Sequence, residues 1–257
     1  MISERNTVYT VQTVRKAFEL LQVLAEAPDA PSLAQLSLKV GLSRNKTFRL
    51  LATLNEMGLV DRESVAGNYQ LGAYSTALAQ KLLKGSSVIN YAHPIMEELV
   101  RKHDEAVYMT VIQEDKVLFV DMVDCFQQIK AAPLVGKSYP FFTNAAGKVM
   151  KALDSRDLLE KFFKNTGRRN NVPDLDRLES ELQEIRSTGV AVDSGGFGEG
   201  ISSVAVAVRD YAGKVVGAIT MLGPSFRMLA GRLESEIIPS MLEGAELLSE
   251  KFGYARA

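Results

Sequence analysis

Apolar residues in the first part of the chain recur at the spacing of an amphipathic helix. The positions concerned are Val14, Ala17, Phe18, Leu21 and Leu24. Because they follow the helical period and the run stops at Pro28, they predict a first helix.

A second helix is predicted to begin at Ser32. The segment SLAQ has the form of a capping box, in which the Ser32 hydroxyl accepts from the Gln35 amide and the Gln35 side chain reaches back. Gly41 is the residue type that ends helices in a left-handed conformation. We therefore expect a short helix that stops at Gly41.

A third helix is predicted from Ser43, only two residues after the second. One face carries Thr47, Leu50, Leu51 and Leu54. The opposite face carries Asn45, Lys46 and Arg49, and Arg44 faces outward at the helix start. A polar face of this kind is usually just solvated. Here the preceding helix and glycine turn make the pair a helix-turn-helix, in which the polar face meets a DNA duplex.

The segment that follows, LVDRESVAGNYQL, predicts a strand, a Gly-Asn turn and a second strand. A hairpin directly after a recognition helix is a wing. Phe48, on the flank of the helix, either packs against this wing or contacts a thymine methyl group.

Donor chemistry suggests a role for each polar residue of the DNA-facing side. Arg49 or Lys46 suits the O6 and N7 atoms of guanine, and Asn45 suits adenine. Arg44 at the helix start and Arg62 on the wing suit phosphate, which gives affinity without sequence information. The predicted partner is double-stranded DNA.

Residues 72–87 are predicted to form a linker helix between a DNA-binding domain at 1–71 and a larger domain at 88–257. The helix has a narrow apolar stripe of Tyr74, Leu78 and Leu82. Such a stripe cannot bury itself on a small head alone, so we expect it to pack on its copy in a second subunit.

The larger domain is predicted to be an antiparallel sheet flanked by helices, an α+β fold. The segment 87–103 is expected to be helical, and Pro94 within it implies either that the helix starts near His93 or that it is kinked. Strands are expected in AVYMTVIQEDKVLFVDMVD, in QQIKAAPLVGK, and in two long runs joined at 210–213. FFTNAAGKVMKAL reads as a strand end passing into a helix. Further helices are expected in DSRDLLEKFFK, in PDLDRLESELQEIRSTG and over 225–252.

Composition indicates an ordinary globular protein, since 46% of the 257 residues are hydrophobic and 24% are charged. The N-terminus lacks the basic start and apolar core of a secretory signal, no run of about 18 apolar residues occurs, and Cys125 is the single cysteine. We expect a cytoplasmic protein, no membrane association, and a structural thiol at Cys125.

Charge is distributed unevenly along the chain. The net charge is −1, yet residues 1–88 hold ten Lys or Arg against seven acids. The N-terminal part is thus basic and the remainder acidic, which is typical of a DNA-binding domain followed by a domain that does not bind DNA.

No catalytic, metal or nucleotide motif is apparent. The glycine-rich GGFGEG lacks the Lys-Ser/Thr of a phosphate-binding loop. His93, His103 and Cys125 are too few and too scattered for a transition-metal site, and no nucleophile is paired with a base. We expect neither an enzyme nor a cofactor-binding protein.

The whole chain resembles the IclR family of bacterial transcriptional regulators. The resemblance is carried by TVRKAFELLQVLA, by SLAQLSLKVGLSRNKTFRLLATLNEMGLV, by NYQLG, and by GVAVDSGGFGEGISSVAVAVRDYAGKVVGAITMLGP. It implies a winged helix-turn-helix domain, a dimerising linker helix and a GAF-like effector domain. It also implies that the protein binds operator DNA and a small carboxylate or aromatic acid effector as a dimer or tetramer.

The resemblance further implies which residues bind the effector. These are Asn144, Ala145, Ala146, Asp193, Ile201, Ser203 and Thr220. Leu222 is apolar where some members carry a hydroxyl, which implies a less polar or differently anchored ligand.

Several of these side chains also have a purely structural interpretation. Asp193, beside two glycines, is equally well a turn residue, and Ser203 in a strand can simply satisfy a backbone group. The aromatic residues Tyr139, Phe141 and Phe142 form either pocket walls or core.

We therefore expect a ligand-responsive transcriptional regulator, acting as a repressor. The alternative is a small-molecule-binding protein or enzyme whose DNA-binding head is non-functional.

Overall fold

The computed structural model describes residues 10–63, 67–154 and 175–255. The chain divides into two compact units, Met1–Gly85 and Ser86–Ala257. Each unit has its own hydrophobic core.

The first unit contains helices and one hairpin. In chain order these are α1 (Gln12–Glu26), α2 (Leu33–Val40), α3 (Arg44–Glu56), β1 (Val60–Arg62), β2 (Tyr69–Leu71) and α4 (Ala73–Lys84).

The start of α2 confirms the predicted capping box. The Ser32 hydroxyl accepts from the Gln35 amide, and the Gln35 side chain accepts from the Ser32 amide. Two amide donors that have no partner inside the helix are thereby satisfied.

The turn between α2 and α3 is fixed by local hydrogen bonds. Gly41 has a φ angle of 67°, and the Leu42 amide donates to the Ser37 carbonyl at 3.0 Å, the pattern of a Schellman motif. The Lys16 ammonium of α1 donates to the Val40 carbonyl at 2.7 Å. Helix α1 is thus tied to the end of α2 at the turn of the helix-turn-helix.

The core of the first unit is built from leucines of α1, α2 and α3. Leu20, Leu36 and Leu51 are fully buried. The predicted helix α1 is confirmed, but its buried side centres on Leu20 and Leu24, whereas Val14 and Phe18 lie exposed. Periodicity alone did not locate the centre of the buried stripe, because apolar residues extend around more of this helix than the core covers.

The hairpin after α3 is confirmed, with Val60 paired to Leu71 and Arg62 to Tyr69. Its connection is longer than the predicted two-residue turn. The Glu63 amide donates to the Asn68 carbonyl, so Gly67, with a φ angle of 69°, lies inside the loop. The Tyr69 amide donates to the Pro31 carbonyl and holds the hairpin against the start of α2.

Helix α4 carries an exposed apolar stripe. Tyr74, Leu78 and Leu82 are 49%, 38% and 68% exposed. These are the three residues whose spacing predicted a narrow stripe that the head alone does not bury.

The second unit is a six-stranded sheet with helices on both sides. Its elements are α5 (Ser87–His103), β3 (Ala106–Gln113), β4 (Lys116–Val123), β5 (Ser138–Pro140), α6 (Ala145–Leu153), α7 (Leu175–Thr188), β6 (Val190–Ser194), β7 (Ile201–Arg209), β8 (Val215–Pro224), α8 (Ala230–Arg232) and α9 (Ile238–Lys251).

The strand order is β5-β4-β3-β8-β7-β6, and all neighbours are antiparallel. Successive side chains of a strand alternate between the two faces. One face packs against α5 and α9, and α6 packs against β6, β7 and β8. The predicted α+β class, a helix-turn-helix domain followed by an antiparallel-sheet domain, is confirmed.

Several predicted elements differ from the observed ones. Helix α5 runs from Ser87 through Pro94, so a start near His93 is wrong; the Pro94 side chain is exposed. The segment 127–137 is irregular and not a strand, with Pro133 lacking a donor and Leu134 turned into the core. Phe141–Thr143 form a 3-10 turn, where a strand end was predicted.

The closing helix begins at Ala230, not at 225, because 225–229 form a turn in which the Met228 amide donates to the Pro224 carbonyl. It continues through a π-helical turn at Leu233–Ile237 into α9. The predicted helix in 154–164 lies outside the described residues, apart from Asp154, and so does the start of the one predicted from 173.

A buried carboxylate joins distant parts of the second unit. Glu105, which is 1% exposed, accepts two hydrogen bonds from Arg227, at 2.6 and 2.8 Å, and one from Arg232 at 3.3 Å. Arg232 also donates to the His103 carbonyl at 2.6 Å. The cluster links the end of α5 and the start of β3 to the chain that follows β8.

Across the described residues, no helix combines the length and apolar character needed to span a lipid bilayer.

Candidate nucleic-acid interface and effector site

Helix α3 separates its side chains into a buried and an exposed set. Thr47, Leu51 and Leu54 are buried, and Leu50 is partly buried. The exposed residues are Arg44, Asn45, Lys46 and Arg49. All four sequence-predicted residues of this helix are thus exposed, and Asn45, Lys46 and Arg49 share the side opposite the buried residues, with Arg44 at the helix start.

The start of α3 adds to the positive potential of this side. Ser43 caps the helix by accepting from the Lys46 amide, and the next residues are basic or amide side chains. A helix N-terminus carries partial positive charge, which favours an approaching phosphate.

A cleft of about 430 Å³ lies beside α3, between this helix and the first turn of α1. Lys46 and Arg49 both line it, together with Gln12, Thr13, Lys16, Leu42, Leu50 and Thr53. The concave, basic surface suits the convex backbone of a nucleic acid.

The wing residue Arg62 lies across the hairpin. Its guanidinium carbon is 5.8 Å from the centre of the Tyr69 ring, and its side chain is exposed. Asp61 and Glu63 flank it and are exposed as well. Phe48 is 45% exposed on α3 and is not part of the core cluster of the first unit.

In the second unit, the strand register brings the predicted effector residues to one face of the sheet. Thr220 of β8 lies opposite Ala205 of β7, and Ser203 lies opposite both Leu222 and Asp193. Residues directly opposite in antiparallel strands point to the same side. Ile201, two positions before Ser203, shares that side and is partly buried.

Helix α6 lies over this face. Its N-cap residue Asn144 is fully buried and accepts from the Gly147 amide at 2.9 Å. The Asn144 side-chain amide donates to the Pro140 carbonyl at 3.0 Å, so the side chain is fully engaged in holding the turn. The amides of Ala145 and Ala146 begin the helix, where backbone donors have no intrahelical partner.

Gly147 allows the start of α6 to approach the preceding turn. A Cβ atom at this position would lie 2.2 Å from the Phe141 carbonyl oxygen. The close approach fixes the helix N-terminus relative to the sheet.

Asp193 takes part in an ionic cluster. Its carboxylate accepts from Lys148 of α6 at 3.0 Å and from the Gly196 amide at 2.9 Å. Lys148 also lies 3.0 Å from Glu181 of α7. Burial acts to raise the pKa of Glu181, but hydrogen bonds and charge from Lys148 and Arg177 outweigh it and lower the pKa. Two carboxylates thus share the Lys148 ammonium.

Three buried hydroxyl groups on this side of the sheet have no hydrogen-bond partner among the described residues: those of Tyr108, Ser203 and Thr220. Tyr108 of β3 lies directly opposite Thr220 of β8. The structural interpretation of Ser203, a hydroxyl that satisfies a backbone group, is therefore not what the fold displays. Tyr108 was missed in the sequence, where it is one of several apolar-compatible residues of a strand.

Aromatic rings border the same side. The Phe119 ring lies edge-on to Tyr108 at 5.3 Å, to Phe197 at 5.6 Å and to Tyr139 at 6.0 Å between centroids. Phe141 is fully buried and Phe142 partly so, and Leu222 is 1% exposed.

The two histidines lie on α5, and Cys125 lies close enough to Tyr108 to contribute to the raised pKa of that phenol. His93 on α5 is 2.7 Å from Asp121, and Cys125 is buried. Burial and the charges of Lys102 and Arg232 lower the pKa of His103. No group of three potential metal-ligating side chains occurs among the residues described.

Comparison with known proteins covers both units. Residues 13–64 match the model of the IclR helix-turn-helix domain, and residues 80–250 match that of the bacterial transcriptional regulator IclR C-terminal domain. The chain is 32% identical to HTH-type transcriptional regulator Rv1719 of Mycobacterium tuberculosis, over 90% of this chain and 89% of the relative. It is 23% identical to the transcriptional repressor IclR of Escherichia coli, over 96% and 92%.

A solved structure shares the fold. It is an IclR homologue from Microbacterium hydrocarbonoxydans in complex with 4-hydroxybenzoate. The TM-score is 0.78 and the identity 18%, with 94% of this chain and 99% of that chain covered.

Proposed function

The chain belongs to the IclR family of bacterial transcriptional regulators, and we propose that it is a repressor whose affinity for its operator changes when a small organic or aromatic acid binds. Membership of this family makes the protein a DNA-binding transcriptional regulator.

The observation that carries the DNA-binding role is the division of α3 into two sides. Leu51 and Leu54 occupy the core, while Lys46 and Arg49 remain exposed beside a basic cleft. A helix held in this way presents its polar side to the major groove.

Roles within the interface follow from donor geometry. We assign Arg49 or Lys46 to guanine O6 and N7, and Asn45 to adenine N6 and N7. Arg44 and Arg62 contact phosphate, which sets affinity and register.

The effector role is supported by buried hydroxyl groups of the second unit that have no partner among the described residues, and by the start of α6. The first amides of α6, at Ala145 and Ala146, can donate hydrogen bonds to a carboxylate of the ligand. Lys148 is committed to Asp193 and Glu181, so the helix amides, and not an ammonium, are the anion subsite. Ser203 and Thr220 supply hydroxyls from the sheet below.

Self-association is supported by α4. Its exposed apolar residues Tyr74, Leu78 and Leu82 would be buried by pairing with a second copy. The two DNA-binding units of a dimer bind two half-sites, whose spacing must match that of the recognition helices.

Effector binding changes operator affinity if it alters the spacing of the recognition helices. For this, the effector must bind the dimer with one spacing more tightly than the dimer with the other. Such a protein acts where chromosomal DNA lies, which supports a cytoplasmic location.

The test is binding of the purified protein to duplex fragments from upstream of its own gene. We expect one fragment to bind more tightly than a scrambled duplex of the same length. The logarithm of the affinity should fall linearly with the logarithm of the salt concentration, by roughly 0.9 for each phosphate contact.

The same titration is repeated with small acids, including benzoate and the 4-hydroxybenzoate found in the homologue. At least one acid should change operator affinity. A protein that binds acids but shows no sequence preference at any salt concentration would instead be a small-molecule-binding protein with a non-functional head.

A further inference from the structure

The effector site contains a buried polar group that neither the family resemblance nor the proposed function uses. Tyr108 is fully buried on β3, and its hydroxyl has no hydrogen-bond partner among the described residues. A buried hydroxyl without a partner is unfavourable, so a native protein that keeps one has another use for it.

The position of Tyr108 connects it to the effector side of the sheet. Tyr108 on β3 pairs directly with Thr220 on β8. Ser203 lies on β7, the next strand beyond β8, on the same side of the sheet. None of the three hydroxyls has a partner within the part of the chain that the structure describes, whereas the Thr110 hydroxyl, next on this side of β3, donates to the Ala218 carbonyl at 3.0 Å. A hydroxyl on this side of the sheet can therefore be bonded within the fold, as that of Thr110 is, and the three without a partner among the described residues lie on three neighbouring strands.

The chemistry of Tyr108 suits a neutral ligand group. Burial, with a further contribution from the nearby Asp124, raises the pKa of Tyr108 to about 12, so the phenol stays protonated at neutral pH. A phenol can donate one hydrogen bond and accept another. Asp124 lies near Tyr108, and the Lys148 ammonium is already shared by Asp193 and Glu181, so a second anionic group on the ligand is disfavoured beside Tyr108.

The rings around Tyr108 suit an aromatic body. Phe119 stands edge-on to Tyr108, and Phe197 and Tyr139 stand edge-on to Phe119. Rings favour such edge-to-face packing.

We propose that Tyr108 reads a hydroxyl or carbonyl substituent on an aromatic acid whose carboxylate lies at the start of α6. The inference rests on the proposed function and narrows it, since an acid without the second polar group leaves the three hydroxyls unpaired. Sites built to hydrogen-bond a substituent reject the analogue that lacks it.

The experiment compares 4-hydroxybenzoate with benzoate by calorimetric titration of the full-length protein. We expect the wild type to bind the hydroxylated acid at least about tenfold more tightly, the size of a good neutral hydrogen bond in a buried site. The Tyr108→Phe variant should lose this preference and retain its affinity for benzoate. Tyr211→Phe is the matched control, because Tyr211 is 81% exposed on the β7–β8 turn.

A melting temperature separates a ligand-reading hydroxyl from a structural one. Tyr108→Phe should melt at the wild-type temperature or above it, because the change removes an unpaired polar group. A lower melting temperature would mean that the hydroxyl is bonded within the fold, for example to an internal water molecule, and the proposal would be wrong.

The other outcomes also decide. If Tyr108→Phe keeps the preference for 4-hydroxybenzoate, Tyr108 does not bind the ligand. If the wild type prefers benzoate or binds neither acid, the effector is not an aromatic acid with a second polar group. Failure of the proposed function appears elsewhere, as a lack of selective binding to the duplex fragments.

Discussion

Replacing Arg49 with alanine is expected to weaken operator binding by about 1–3 kcal/mol, roughly five- to 150-fold in Kd. The Arg49 side chain is exposed on α3 and lines the basic cleft, so its loss removes donors from the DNA-facing side. The residues that hold α3 in place, among them Leu51 and Leu54, are on the opposite side. The melting temperature should therefore stay at its wild-type value.

Fluorescence anisotropy with a labelled operator duplex measures the change. Arg101→Ala is the matched control, because Arg101 is an exposed arginine on α5 in the other unit. The salt dependence and the use of mutated operators distinguish the role of Arg49. A base contact relaxes specificity at one position, whereas a phosphate contact lowers affinity for all duplexes and reduces the salt slope by about one. Equal operator affinity in Arg49→Ala and wild type would rule out the DNA-facing assignment of this helix side.

Replacing Glu105 with alanine is expected to lower the free energy of unfolding by about 3 kcal/mol. Glu105 is 1% exposed and is the acceptor for both Arg227 and Arg232. Removing it leaves two guanidinium groups, which are largely covered by protein, without their carboxylate. Breaking a buried ion pair from one side is costly because the remaining charge is not resolvated.

Urea denaturation followed by circular dichroism measures this loss. The matched control is Glu236→Ala, since Glu236 lies 3.9 Å from Arg232 but is 61% exposed. An exposed pair contributes little, so the control should lie within about 1 kcal/mol of wild type. If Glu105→Ala and Glu236→Ala destabilise equally, the buried cluster does not have the structural role that its geometry indicates.

The helix-turn-helix was predictable from the sequence because its signals are local. The Ser32 capping box, the Gly41 C-cap and the Ser43 N-cap each lie within a few residues of the boundary they define. The polar side of α3 also follows from spacing alone. Residue roles at the DNA remain predictions, since base contacts depend on a partner.

The effector side was less predictable because it depends on pairing between distant strands. The resemblance pointed to Ser203 and Thr220, but nothing near Tyr108 in the sequence places it opposite Thr220. That neighbourhood arises only when β3 pairs with β8. The Glu105–Arg227 cluster was missed for the same reason, since its members are far apart in the chain.

Short-range patterns also failed where apolar residues had an unexpected use. The apolar content of 127–137 suggested a strand, yet Ala131 and Leu134 anchor an irregular loop to the core, while Ile129 is 65% exposed. A strand would have required regular alternation between two environments. The loop needs only a few apolar anchors.

The π-helical turn at Leu233–Ile237 acts as a correction of angular phase within the closing helix. Arg232, before the turn, meets Glu105, and Met241, after it, is fully buried in the core. In a regular α-helix, a separation of nine positions corresponds to about 900°, which places the two side chains on opposite sides. The wider turn absorbs about one residue and reduces the offset to roughly 80°. The closing helix can therefore place both Arg232 and Met241 against the rest of the second unit. In a regular α-helix of this sequence, the two side chains would point in opposite directions.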